Sequence, residues 1–132
     1  EDFAQIKSND GKGEFKLIKK GLGFVGILGD TFPREAHVKA AHDALDLAKT
    51  EIEKKCWDLI ILDEINVALA LKLLTFEKVR EVLNLVPLEK FVICTGRDAP
   101  QALIDLADLV SEIKEIKHPW NNGKLANIVL EF

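Results

Sequence analysis

The run Leu59-Ile60-Ile61-Leu62, followed at once by Asp63-Glu64, constrains this chain more than any other stretch. Four apolar residues without alternation suit a strand buried on both faces, which means a parallel strand with helices packed above and below it. The two acids then fall at the carboxyl edge of the sheet, where open α/β folds place their ligands. A carboxylate pair there suits a nucleotide site: one acid holds Mg²⁺, directly or through water, and the other orients a reacting group. An acid that ends a buried strand also serves simply to cap the next helix, so the motif alone leaves both roles open. Asn66, two residues on, either reaches the same site or starts that helix. The usual partner motif, G-x-x-x-x-G-K-[ST], does not occur in the 132 residues.

The rest of the composition narrows the class. A chain of 132 residues makes one domain, and 48% apolar with 30% charged residues describes a soluble globular protein. A net charge of −4 leaves no basic stripe to neutralise phosphates, which argues against nucleic acid as a partner. No apolar run approaches ~18 residues, so a membrane span is not expected. Cys56 and Cys94 flank strand-like runs outside any C-x-x-C pair. They read as buried reduced thiols in a cytoplasmic protein, with a disulfide between them left open. Glu1-Asp2 offers no positively charged signal region, and a start without Met points to a cut or processed end.

Periodicity gives the elements. Phe3–Ile6 reads as a strand, 8–13 as a polar turn, and Glu14–Lys20 as a short helix closed by Gly21, with Lys16, Lys19 and Lys20 on its solvated face. Phe24–Leu28 is a second strand and Gly29–Pro33 a loop. From Arg34 to about Lys54, Ala41, Ala44, Leu45, Ala48 and Ile52 form one stripe of a long helix. Trp57–Leu62 is the buried strand, and Ile65–Leu71 is helical. Thr75 caps a helix carrying Phe76, Val79, Val82, Leu83 and Val86. Phe91–Cys94 is a short strand, Pro100–Ala107 a helix, and Leu109–Ile116 alternates like a last strand. The tail, Leu125–Phe132, is apolar enough to dock. Strands alternating with helices at this spacing imply βαβ units and a mostly parallel sheet.

Other constellations carry less. Gly11-Lys12-Gly13 imitates a phosphate loop poorly, because Glu14 would repel a triphosphate and no Ser or Thr follows to bind Mg²⁺. It reads as a surface turn. Thr95-Gly96-Arg97 ends a strand on the same edge as Asp63, where Gly permits close backbone approach and Arg clamps phosphate oxygens; a plain turn with a solvent-facing Arg fits equally. Lys117-His118-Pro119-Trp120 suits a ligand rim or a lid over the core. His37 and His42, five apart on a helix, diverge and make no metal pair.

Taken in order, Trp57–Asn66, Thr95-Gly-Arg-Asp-Ala-Pro100, Leu103–Glu112 and Lys117-His-Pro119 resemble the P-loop type ATP:corrinoid adenosyltransferases, from about Gln5 to Phe132. The resemblance implies a P-loop-NTPase-like (RecA-like) three-layer α/β sandwich. It also implies transfer of the 5′-deoxyadenosyl group from ATP to the cobalt of a reduced corrinoid, with Mg²⁺ present and triphosphate released. Asp63 and Glu64 would serve the Mg²⁺-triphosphate end, with Asn66, Thr95, Gly96 and Arg97 on the nucleotide. Thr31, Phe32, Lys117, His118 and Pro119 would meet the corrinoid, Phe32 aligning with an aromatic that excludes the lower axial ligand. A flavin-type reductase supplying Co(I) and a homodimer are the partners implied. Three departures from the family pattern stand out: the phosphate loop with its strand and helix is missing, Asp30 stands where a second aromatic is usual, and the tail has lost basic positions. The chain is thus expected to be the C-terminal three quarters of the domain, inactive alone. The competing readings are a relative that binds corrinoid or a partner without catalysis, and a generic RecA-like ATPase.

Overall fold

Apolar and polar side chains alternate along Glu14-Phe15-Lys16-Leu17, a period of two that favours a strand over a helix. The computed structural model, which describes residues 3–8, 11–23, 25–26 and 29–117, follows that period. Strand β1 (Phe3–Lys7) pairs antiparallel with β2 (Glu14–Ile18), in a register running from Phe3 opposite Ile18 to Lys7 opposite Glu14. The helix expected over Glu14–Lys20 is therefore corrected to a strand. The turn that permits the hairpin is closed by Ser8, whose carbonyl accepts from Gly11 N–H and whose hydroxyl accepts from Gly13 N–H at 2.7 Å. Of the strand expected over 24–28, Val25 and Gly26 lie in a bend and the remainder is outside the described residues.

The long helix forms as its stripe requires. Helix α1 (Arg34–Lys54) buries Leu45, Ala48 and Ile52 and stops at Lys55, whose left-handed backbone sends its N–H back to the Ile52 carbonyl. Four residues later β3 (Leu59–Leu62) begins. It is followed by α2 (Ile65–Ala70), α3 (Phe76–Leu83), β4 (Phe91–Cys94) and α4 (Gln101–Leu106). Thr75 caps α3 as its sequence predicts, its hydroxyl accepting from Lys78 N–H at 3.5 Å. β3 and β4 run parallel with Leu59 opposite Phe91 and Leu62 opposite Cys94.

Among the described residues the strands form two separate pairs, one antiparallel and one parallel, where one mostly parallel sheet is expected. Leu45, Ile52, Ile65, Leu69, Leu74, Val79, Val82 and Leu103, drawn from or beside the helices, make one core, and Ile60, Leu62 and Cys94 pack against it from the parallel pair. Helices therefore cover one face of that pair. On the other face Leu59, Ile61, Phe91 and Ile93 are 45–69% exposed. Among the described residues the architecture is mixed α/β with two layers. Residues 109–116 form no strand, and Leu109, Ile113 and Ile116 are exposed. Alternation alone cannot make a strand: the backbone groups need a neighbour to pair with, and none lies alongside among the described residues. Cys56 is exposed, which corrects its expected burial. Cys94 is partly buried, with its thiol pushed up by desolvation, and both thiols are free.

Glu51 joins three parts of this framework. It is buried on α1, accepts from Lys54 Nζ at 2.8 Å and from Trp57 Nε1 at 2.7 Å, and faces Lys16 of the hairpin at 3.6 Å. The Lys54 hydrogen bond, then that of Trp57 and the charge of Lys16, hold its carboxyl below the ordinary value of 4.5. A depressed carboxyl stabilises the fold fully above its unfolded-state value and loses that contribution as pH falls through the folded-state value. Glu51→Gln is therefore expected to lower Tm at pH 7, with the gap to the parent closing below pH 4.5 in thermal melts followed by circular dichroism.

Candidate functional site

The two parallel strands end level with each other, which brings the residues after them together. Thr95 N–H donates to the Leu62 carbonyl at 3.2 Å, extending the ladder one step past β4. This seats the Thr95 hydroxyl between the two acids: it donates to Asp63 Oδ1 at 2.6 Å and accepts from Glu64 N–H at 3.0 Å. Asn66 closes the group. Its N–H donates to the Thr95 carbonyl at 3.1 Å and its Nδ2 to the Gly96 carbonyl at 3.0 Å. Asp63, Glu64, Asn66, Thr95 and Gly96, all singled out in the sequence, are thus held as one unit, with Arg97 exposed beside them.

The competing role of Asp63 as a helix cap does not describe this geometry. The residue at the cap of α2 is Glu64, and α2 has no side-chain cap bond. Glu64 adopts a left-handed backbone at φ 58°, uncommon for a residue with a side chain and found where the surroundings force it. Both acids are exposed, and among the described residues Asp63 Oδ1 has its one partner in Thr95. Asn66 is only 7% exposed, and its Oδ1 is buried with no hydrogen-bond partner. Buried amide oxygens are normally satisfied, so this one marks a place for a donor.

Carboxylates on two consecutive exposed residues at this edge, Asp63 and Glu64, suit Mg²⁺. That ion uses one or two carboxylates and completes its octahedron with water and substrate phosphates. The donor set fits the ion.

The Gly29–Pro33 loop is built differently from its sequence expectation. Asp30 turns inward: its carboxylate accepts from Gly26 N–H at 2.7 Å and Phe32 N–H at 3.0 Å, and both oxygens lie 2.9–3.0 Å from His37 Nε2 on α1. These backbone bonds first, then His37, hold the Asp30 carboxyl below its ordinary value. Phe32, half exposed, sets its ring edge-on to His37 with centroids 6.1 Å apart. Thr31 and Lys117 are exposed, whereas His118, Pro119 and Trp120, like the tail, lie outside the described residues. Arg34 Nη2 donates to the Leu71 carbonyl at 2.6 Å, tying the start of α1 to the end of the six-residue α2, whose other end is the Asp63 site. A helix of that length spans ~9 Å. The loop end of α1 and the carboxylate segment are therefore connected through α2. The Asp30–His37 contact was missed in the sequence, because a pair seven apart across a loop and a helix start has no periodic signal.

The chain matches the family described as ATP:corrinoid adenosyltransferase BtuR/CobO/CobP over residues 3–132. It is 32% identical to the corrinoid adenosyltransferase of Escherichia coli K12, an alignment covering 96% of this chain and 67% of that protein. It is 36% identical to that of Sinorhizobium sp., over 96% of this chain and 64% of the relative. It is 31% identical to the corrinoid adenosyltransferase CobA of Salmonella typhimurium, over 96% of this chain and 67% of that protein. A mixed α/β domain with a carboxylate pair at its parallel-strand edge is what the fold and site define; the chain belongs to the ATP:corrinoid adenosyltransferase family. It spans about two thirds of the length of these relatives.

Gly96 tests the construction of the site. Its φ is +116°, and an added Cβ would lie 3.2 Å from Asn66 Cβ, Glu64 Cα and Glu64 Oε2. Gly96→Ala is expected to cost about 1–3 kcal/mol, from backbone strain and from displacing the Glu64 backbone. Urea titration of parent and variant measures it.

Proposed function

We propose that residues 1–132 form most of a catalytic domain that transfers the 5′-deoxyadenosyl group of ATP to the cobalt of a reduced corrinoid. The observation that carries the reading is the Thr95 hydroxyl between Asp63 and Glu64, in a chain of this family. In the reaction the Co(I) electron pair forms a bond to C5′ of ATP. The C5′–O bond breaks and its electrons leave with triphosphate, so the protein's task is alignment and charge neutralisation. Thr95 fixes the Asp63 carboxylate, and Asp63 and Glu64 would together hold Mg²⁺, which supplies positive charge to the triphosphate when bound. The Asn66 amide, anchored on Gly96, offers its Oδ1 to a donor on the nucleotide side, and Arg97 is placed to meet phosphate oxygens. Thr31 and Phe32 would face the corrinoid, with Lys117, His118 and Pro119 contributing from the chain that follows α4.

This reading includes a P-loop-NTPase-like, RecA-like three-layer domain. A strand, phosphate loop and helix would complete it, residues 1–132 being about its C-terminal three quarters. The length of the relatives supports this, as does the uncovered face at Leu59, Ile61, Phe91 and Ile93, since parallel strands are normally covered on both sides. Among the described residues that face is exposed and β4 pairs on one side only, which favours self-association and a homodimer. A cytoplasmic setting and a flavin-type reductase supplying Co(I) belong to the same proposal.

The test is a spectrophotometric assay of adenosylcobalamin formation from ATP, Mg²⁺ and reduced cobalamin. Residues 1–132 alone are expected to be inactive, and a form preceded by a phosphate-loop segment active. In the active form Asp63→Asn should lower kcat at least ~100-fold, the scale of losing a positioned electrostatic group. ATP hydrolysis to ADP without corrinoid dependence would instead identify a generic ATPase. Corrinoid binding with no turnover in the completed form would identify a non-catalytic binder.

A further inference from the structure

We propose that Asp30 and His37 act as a clamp that presents Phe32 to the corrinoid; the inference rests on Phe32 facing that substrate. Asp30 and His37 are positioning residues. The side chain of His37 is 3% exposed and that of Asp30 6%, yet neither belongs to the apolar core. An ionised carboxylate only accepts, so the ring nitrogen facing it, Nε2, carries the proton. Asp30 thereby gathers donors from before the loop (Gly26), from within it (Phe32), and from α1 (His37). Its bond to Phe32 N–H, two residues on, makes a turn that fixes the backbone from which the Phe32 ring projects.

The ring is held from the other side as well. It meets the His37 imidazole edge-on at 90°, so the group that orients Asp30 also orients Phe32. An aromatic on a free loop would be poorly placed to lie against a flat macrocycle, because each rotamer it sampled would have to be given up on binding. Tying backbone and ring to a 21-residue helix removes that loss in advance. Asp30 is thus an internal strut in place of an outward contact, which explains why an acid is tolerated where the family resemblance leads one to expect an aromatic.

The measurement is binding of cob(II)alamin to the chain, followed by the visible and EPR changes that report loss of the lower axial ligand. Hydrogen exchange at the Gly26 and Phe32 amides is read alongside. Asp30→Ala and His37→Leu are expected to weaken binding on the order of tenfold, the scale of losing a buried charge-assisted partner. Both should speed exchange at the two amides and leave exchange across 45–52 of α1 unchanged. His37→Gln, which keeps a nitrogen donor near the Nε2 position, should restore affinity to within about threefold of the parent. Parent-like binding by both Asp30→Ala and His37→Leu, with Phe32→Ala weakened, overturns the clamp and leaves the corrinoid reading standing. Parent-like binding by Phe32→Ala, or no binding by the parent, overturns that reading and the clamp with it. Loss of folding in both Asp30→Ala and His37→Leu makes the pair a stability element and also overturns the proposal.

Discussion

The site depends on one hydrogen bond of the parallel ladder, that from Thr95 N–H to the Leu62 carbonyl. It lies one residue beyond β4, where a sheet would ordinarily let its strands diverge. Because it forms, the Thr95 hydroxyl is level with Asp63 and Glu64 and bonds to both residues. The next residue, Gly96, can then pass close over Glu64 and offer its carbonyl to Asn66. The strand register thus becomes side-chain placement, which is why the acids and the T-G-R segment occur on different strands yet act as one unit. Slipping the pairing by one residue would move every side chain of one strand to the opposite face and separate the pair.

Elements set by local pattern were legible in the sequence. The stripe from Ala41 to Ile52 fixed α1, Thr75 fixed the start of α3, and Phe91–Cys94 fixed β4, because each is decided by residues close in the chain. That Asp63 and Thr95 reach one edge was legible too, because both follow apolar strand runs and parallel strands deliver their ends to one edge. What the sequence obscured depends on partners. The alternation along Glu14–Leu17 spans only four residues, and its pairing with β1 is what makes it a strand. Residues 109–116 have the alternation of a strand but no neighbour among those described, and a strand is a property of a pair. Asp30 and His37 meet because the loop turns back onto α1, which no local rule encodes.

The exposed apolar face of β3 and β4 follows from the same apolar run that carries Asp63 and Glu64 at its end. Leu59-Ile60-Ile61-Leu62 is apolar at every position, yet only Ile60 and Leu62 meet the core. Four consecutive apolar residues fit a strand covered twice better than one covered once. The side chains of Phe91 and Ile93 repeat that pattern on the neighbouring strand. The exposed face lies on the side away from the helices, distinct from the strand ends where Asp63 and Thr95 meet.

That separation bears on how the chemistry is divided. Asp63, Glu64, Asn66 and Thr95 are fixed by bonds within residues 62–96, and the Phe32 loop by bonds within residues 26–37. The two parts meet through the Arg34 bond to the Leu71 carbonyl and through the shared core of α1 and α2. A group-transfer enzyme of this kind must bring two large substrates together at one carbon atom, and errors of about 1 Å in that approach are costly. Independent local fixing of each half, with a rigid helix between them, meets this demand without a long chain of coupled contacts.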